Sequence, residues 1–122
     1  MWMKMSDAEL LQRSDLIVIG TWLGREPAVA GAASPHVAAV AVSEVWKGPA
    51  ATTRVLVVVP PADAPRSSSD LHYRVGDRGL WLLRMRPGSE ADVYLADHPQ
   101  RFVPAATEAA RIEILRELLR RR

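Results

Sequence analysis

The chain has 122 residues, 48% of them apolar and 25% charged, with a formal net charge of +2. That length suits one domain, residues 1–122, able to bury about 65% of its unfolded surface without covalent staples. It contains no cysteine, which excludes disulfides, thiolate zinc sites and cysteine nucleophiles.

No stretch reaches the ~18 apolar residues of a membrane span. Met1-Trp2-Met3-Lys4-Met5 is not followed by the apolar core of a signal peptide. The compartment stays open: cytoplasmic for the chain as it stands, periplasmic or secreted if a leader preceded it.

Ser6-Asp7-Ala8-Glu9 has the S-x-x-E form of a capping box and precedes Leu10-Leu11, so a short helix over 7–13 is expected. Residues 15–23 read as the first strand, apolar on both faces at its start. Gly20 within it marks a bulge or sharp bend, the device that curls a sheet into a barrel. A Gly/Ala/Pro-rich surface loop over 24–35 follows.

Residues 37–59 hold the densest β-branched sequence. Strands at 37–46 and 54–59 flank a Lys47-Gly48-Pro49 break, and the second is apolar on both faces, as if buried on both. In the first the apolar phase slips at Ser43-Glu44, which again reads as a bulge.

Residues 60–77 carry three prolines and three consecutive serines, too long for a hairpin and too polar for a core. Val75-Gly76-Asp77-Arg78-Gly79 then turns into a fourth strand over 80–85. A fifth strand spans 93–96, and Phe102-Val103 adds a brief sixth pairing before Pro104.

From 107 to 121 the period is helical. Ile112, Ile114, Leu115, Leu118 and Leu119 fall within an arc of about 160°. Glu113–Arg116 and Glu117–Arg121 have the spacing to pair on the opposite face. Such a stripe needs cover. The candidates, in order, are an open end of its own barrel, the same helix of a second chain, and an anionic membrane. The chain is thus expected to be a monomer, with a homodimer through this helix as the alternative.

Together these elements imply a mainly β fold: a small, partly open, five-stranded OB-like barrel with a short helix before it and an amphipathic helix after it. Leu16, Val18, Val40, Val42, Val55, Val57, Leu80 and Leu82 are its expected core.

Three segments carry a family resemblance: Ser14-Asp15-Leu16-Ile17-Val18-Ile19-Gly20, Val42-Ser43-Glu44-Val45-Trp46-Lys47-Gly48, and Val75-Gly76-Asp77-Arg78-Gly79-Leu80-Trp81-Leu82-Leu83. Their order resembles bacterial members of the netrin-module and tissue-inhibitor-of-metalloproteinase-like group. That group has a D-[LIV]-[LIV]-x-G strand, an x-V-x-K-G strand end and a G-x-x-x-L-x-x-L strand, and the likeness spans residues 14 to 104. It implies an OB-like barrel used for protein–protein contact. It does not extend to metalloproteinase inhibition, which in that family is made by an N-terminal cysteine that this chain lacks.

No motif asks for a metal or a cofactor. His36, His72 and His98 have no metal-ligand spacing, and Asp97-His98-Pro99 reads as a turn in which Asp97 accepts a backbone bond. A hydrolase assembled from Ser67–Ser69, His72 or His98, and Asp70 or Asp97 lacks a G-x-S-x-G elbow. Glu44, Asp77 and Asp92 are scattered, and Gly76-x-x-Gly79 lacks the Lys-Ser/Thr pair of a phosphate loop.

The tryptophans Trp22, Trp46 and Trp81 first suggest packing in the core or at the barrel rim. The alternative is a binding face of Trp22, Trp46, Trp81, Tyr73, Arg74 and Arg78, since single-strand-binding barrels stack bases on aromatics beside arginine. Arg54, Arg84, Arg86 and Arg101 add to that cationic supply, but interleaved aspartates and glutamates offset the field. The expectation is therefore a non-enzymatic interaction module with a protein ligand, ahead of an OB-type single-stranded nucleic-acid binder and, last, a hydrolase.

Overall fold

The runs that are apolar on both faces become a barrel wall with packed side chains on either side of it. The computed structural model describes residues 4–25, 37–59, 73–85, 93–96 and 98–121. In chain order these form α1 (Asp7–Gln12), β1 (Leu16–Arg25), β2 (Val37–Lys47), β3 (Arg54–Val58), β4 (Arg78–Met85) and β5 (Val93–Leu95). A 3₁₀ turn (Pro99–Arg101), β6 (Phe102–Pro104) and α2 (Ala105–Arg120) complete them.

The strands run β1-β2-β3-β5-β4 round a ring, and β4 pairs back onto β1 to close it. The β3–β5 ladder is parallel and the others antiparallel. This is the expected five-stranded OB-like barrel, closed by the β1–β4 ladder and not partly open, with β6 as an extra strand on β4. Its thinnest seam is β5, held to β3 through Leu56 and Val57 and to β4 through Arg84 and Met85.

Side chains alternate across a strand, so each wall strand feeds two layers. Leu16, Val18, Trp22, Ala38, Val40, Val55, Val57, Trp81, Leu83 and Ala96 fill the barrel, with Val42 half-buried against them. Ile17, Ile19, Leu80, Leu82 and Val103 point out of it and are buried under Leu10 and Leu11 of α1 and Ile112 and Leu115 of α2. Leu80 and Leu82 are thus core residues as expected, but of the outer layer.

The C-terminal helix covers its own barrel, though not by plugging an end: it lies on the outer wall of β4 and β6, against α1. Its buried stripe centres on Leu115 and takes in half-buried Arg111, whose guanidinium meets Asp7 at 2.9 Å. Ile114 lies outside that stripe and is 55% exposed, contrary to the expected arc. The expected pairs Glu113–Arg116 and Glu117–Arg121 form at 3.9 and 3.5 Å, both with exposed carboxylates that limit their worth. The capping box at Ser6 forms as well, its Oγ accepting from the Glu9 N–H at 3.2 Å.

Both expected bulges are present, and they are one irregularity. Ile19 pairs with Glu44 and Gly20 with Val42, which leaves Ser43 as the extra residue, its hydroxyl donating to the Ile19 carbonyl at 3.2 Å. The strands approach so closely here that a Cβ on Gly20 would lie 2.7 Å from the Ala41 carbonyl oxygen. The other residues of the recurring motifs also hold the barrel. Asp15 Oδ2 accepts from the Met85 N–H at 2.8 Å, tying β1 to the end of β4. Lys47 Nζ donates to the Leu11 carbonyl at the end of α1.

One device escaped the sequence reading. β5 and β6 lie along the same edge of β4, opposite β1, with a gap between them, and the 3₁₀ turn Pro99–Arg101 precedes β6 outside the ladder. The gap falls at Leu82, whose carbonyl accepts from Arg101 Nη1 at 2.9 Å. Ser14 Oγ, itself donating to the Leu10 carbonyl, accepts from the same nitrogen. Arg101 is 3% exposed, so it is a structural plug and not part of a cationic surface.

Truncating Leu82 to Ala should cost about 2–5 kcal/mol through the transfer and cavity terms. The denaturant midpoint should fall at an unchanged m-value, and a wild-type midpoint would show that the outer layer is not a packed core. Removing residues 105–122 uncovers that layer and should leave an aggregation-prone barrel. A truncated chain that stays monomeric and as stable as the full one would contradict this placement of α2.

Candidate interaction surface

The six residues of the expected aromatic and arginine face are not brought together. Trp22 (5% exposed) and Trp81 (0%) lie inside the barrel, their ring centroids 5.4 Å apart. Phe102 stacks on Trp81 at 4.1 Å, and Tyr73 meets Trp22, Trp81 and Phe102 at 5.0, 5.0 and 5.6 Å. The polar edges are used internally: Trp81 Nε1 donates to the Gly20 carbonyl at 3.0 Å and the Tyr73 hydroxyl to the Ala96 carbonyl at 3.2 Å. Rings packed this way are core, the first of the two readings, and offer no face for a base to stack on.

Trp46 lies in the outer layer, half-buried among the helix-covering residues. The Arg116 guanidinium stands over its ring at 4.9 Å, and Glu44 Oε2 lies 3.7 Å from Arg116 Nη2. Arg74 and Arg78 are exposed at the mouth of β4, far from Trp46 in the sheet register: Arg78 pairs with Thr21, whereas Trp46 follows Val45, the partner of Val18.

Away from the helices, the outer wall of β2, β3 and β5 presents apolar side chains with no described helix over them. Val37, Ala39 and Ala41 alternate with interior Ala38 and Val40; Leu56 and Val58 alternate with interior Val55 and Val57; Val93 and Leu95 flank inward-packed Tyr94. These outward residues are apolar, and the exposed Arg54, partner of Ala41, puts a charge at the start of β3. The register aligns them, Val37 with Val58, Ala39 with Leu56, and Leu56 with Val93. Ala39 is buried and the others are half-buried. β3, expected to be buried on both faces or nearly so, is buried on its inner face and half-buried at Leu56 and Val58 on its outer one. Among the described residues, the cluster the helices join contains nothing from β3 or β5.

Two shallow grooves flank the helices. One of about 350 Å³ lies between Lys4, His98, Phe102, Glu108 and Arg111, and one of about 270 Å³ between Glu44, Trp46, Arg116 and Arg120. Neither is lined by a hydroxyl or thiol beside a base. His98 caps the 3₁₀ turn, its Nδ1 accepting from the Gln100 N–H at 3.1 Å, while the Gln100 side chain holds both backbone groups of Met5. His36, His72, Ser67–Ser69, Asp70, Asp92 and Asp97 lie outside the described residues, as do Arg86 and most of the two expected loops. Among the described residues no three His, Asp or Glu side chains gather as a metal site would need. No described helix is long and apolar enough to cross a membrane.

No protein-family model matches the chain, and no curated protein matches its sequence at a significant level.

Replacing Trp81 by Phe should cost about 1–3 kcal/mol, because the buried Gly20 carbonyl loses its donor while the aromatic packing is largely kept. Chemical denaturation measures this, and an unchanged midpoint would remove the indole from the account of the barrel.

Proposed function

We propose that the chain is a non-enzymatic interaction module that binds a protein surface on the outer face of β2, β3 and β5. The observation that carries this reading is the register-aligned row of Val37, Ala41, Leu56, Val58, Val93 and Leu95, apolar and half-exposed with no described helix over it. Apolar area left at a surface lowers the free energy when a partner removes it from water, by roughly 25 cal/mol per Å² before the costs of association. The same face of OB-type barrels carries ligands in many proteins. The row itself has no described aromatic side chain, and Trp46 farther along β2 has its ring under the Arg116 guanidinium, which favours a protein over a single-stranded nucleic acid. The resemblance to netrin-module and metalloproteinase-inhibitor-like barrels points the same way, towards protein contact.

A photoreactive phenylalanine analogue in place of Leu56 should give a discrete protein adduct in an extract of the source cells. The same analogue at exposed Glu113 should not. Unlabelled wild-type protein should compete for the adduct, and protein carrying Val58→Asp should not. Saturable, salt-sensitive binding of mixed single-stranded oligonucleotides, with no adduct at Leu56, would overturn the reading in favour of nucleic acid.

A further inference from the structure

At the β1 end of this face the apolar row meets a concentration of positive charge. Thr21 lies on the outer side of β1 with Arg78 across the ladder from it; the exposed Leu23 falls at a bulge between Trp22 and Gly24, beyond which Arg25 pairs with interior Ala38. The chain enters β4 through the expected turn at Val75-Gly76-Asp77, which is clamped to β1. The Trp22 N–H donates to the Asp77 carbonyl at 2.8 Å, and the Gly76 N–H donates to the Trp22 carbonyl at 2.9 Å. Gly76 has φ +95°, a conformation glycine adopts without strain. Val75 is thereby set at the apex, 73% exposed, its Cγ2 so placed that a Cβ on Gly24 would lie 3.0 Å away. Leu23 beside it is 50% exposed.

At this turn stand Arg74 and Arg78, both exposed, and neither guanidinium group has a partner among the described residues. The carboxylate that the described residues place here, Asp77, is turned onto the Arg74 backbone N–H at 2.9 Å. This contrasts with α2, where Arg111, Arg116 and Arg121 each have a carboxylate. Two such guanidinium groups beside an exposed apolar apex complement carboxylates, which accept the planar fork of arginine in pairs.

We propose that this end of the face receives an acidic segment of the protein partner, its carboxylates on Arg74 and Arg78 and an apolar side chain against Val75 and Leu23. The inference rests on the interaction-module reading and names the chemistry of the ligand. An anionic membrane shares the charge but fits less well. Two exposed apolar side chains supply little insertion area. The patch is also continuous with the apolar outer wall, which a bilayer contact at the barrel end would leave uncovered. Because hydrogen bonds hold the turn's backbone, presenting Arg74 and Arg78 requires little ordering of the main chain on binding.

The test titrates isotope-labelled full chain with a short soluble peptide of alternating glutamate and leucine, following backbone amide shifts. Shift changes should centre on residues 21–25 and 74–78. The double variant Arg74→Glu, Arg78→Glu should weaken binding by on the order of tenfold, and Val75→Ser should weaken it without changing charge. Arg120→Glu makes the same kind of charge reversal on α2 and should change affinity less than about twofold. Equal weakening by Arg120→Glu, or shifts centred elsewhere, would overturn the proposal. So would arginine-dependent co-sedimentation with phosphatidylglycerol vesicles when the peptide leaves the amides unmoved. If the peptide fails while the adduct at Leu56 still forms, this inference falls and the interaction-module reading stands. Loss of both removes both.

Discussion

The structure depends on the ladder between β1 and β4. Six consecutive pairs, from Leu16 with Leu83 to Thr21 with Arg78, close the ring and at the same time divide the protein into two cores. Each strand of the pair is apolar on both faces for that reason. Leu16, Val18, Trp81 and Leu83 look inward; Ile17, Ile19, Leu80 and Leu82 look out to the helices. A wall that is wet on one side would show a hydrophobic period of two, and this wall does not. The other devices serve the same closure. Gly20 and Ser43 let β1 and β2 bend together, Asp15 holds the end of β4, and Arg101 satisfies the Leu82 carbonyl where the edge of β4 would otherwise lie open.

Much of this was legible. The capping box, the bulge at Gly20 with its counterpart at Ser43, the five strands and the terminal helix are all local signals, carried by side chains that act within a few residues of themselves. The centre of the fold was less so. Residues 37–59 have the densest run of β-branched side chains, yet the closing contact lies between residues 16–21 and 78–83, and no local pattern marks which two runs pair. The same limit applies to Arg101, which by composition looks like a surface arginine and becomes buried because a break between β5 and β6 brings it to the Leu82 carbonyl. The helical arc was right in character and displaced in phase. Arg111, half-buried over Asp7, belongs to the covered stripe and Ile114 does not. A hydrophobic wheel counts an arginine as polar, although its aliphatic stem packs readily.

For the candidate site the sequence carried less. Aromatic residues beside arginines are the same letters whether they form a stacking platform or a core. Trp22, Tyr73, Trp81 and Phe102 are resolved as core by the fold, with two of their polar atoms satisfied by backbone carbonyls within it. The surface that remains is defined by subtraction. The helices take the outer wall of β4, β6 and the first half of β1, and an apolar strip on β2, β3 and β5 is left outside their reach. That strip came from strands whose double-sided hydrophobicity reads most simply as burial on both sides. In a barrel half-clad by helices, the same pattern is what a binding wall needs.

The measurement that tests this division most directly is methyl relaxation of the leucine and valine side chains by a soluble gadolinium chelate in the free protein. The methyl groups of Leu56, Val58, Val93 and Leu95 should be relaxed far more strongly than those of Leu80, Leu82 and Leu115, which lie under the helices. Equal protection of the two sets would mean that the wall of β2, β3 and β5 is already covered within the chain, and the interaction surface would have to be sought elsewhere.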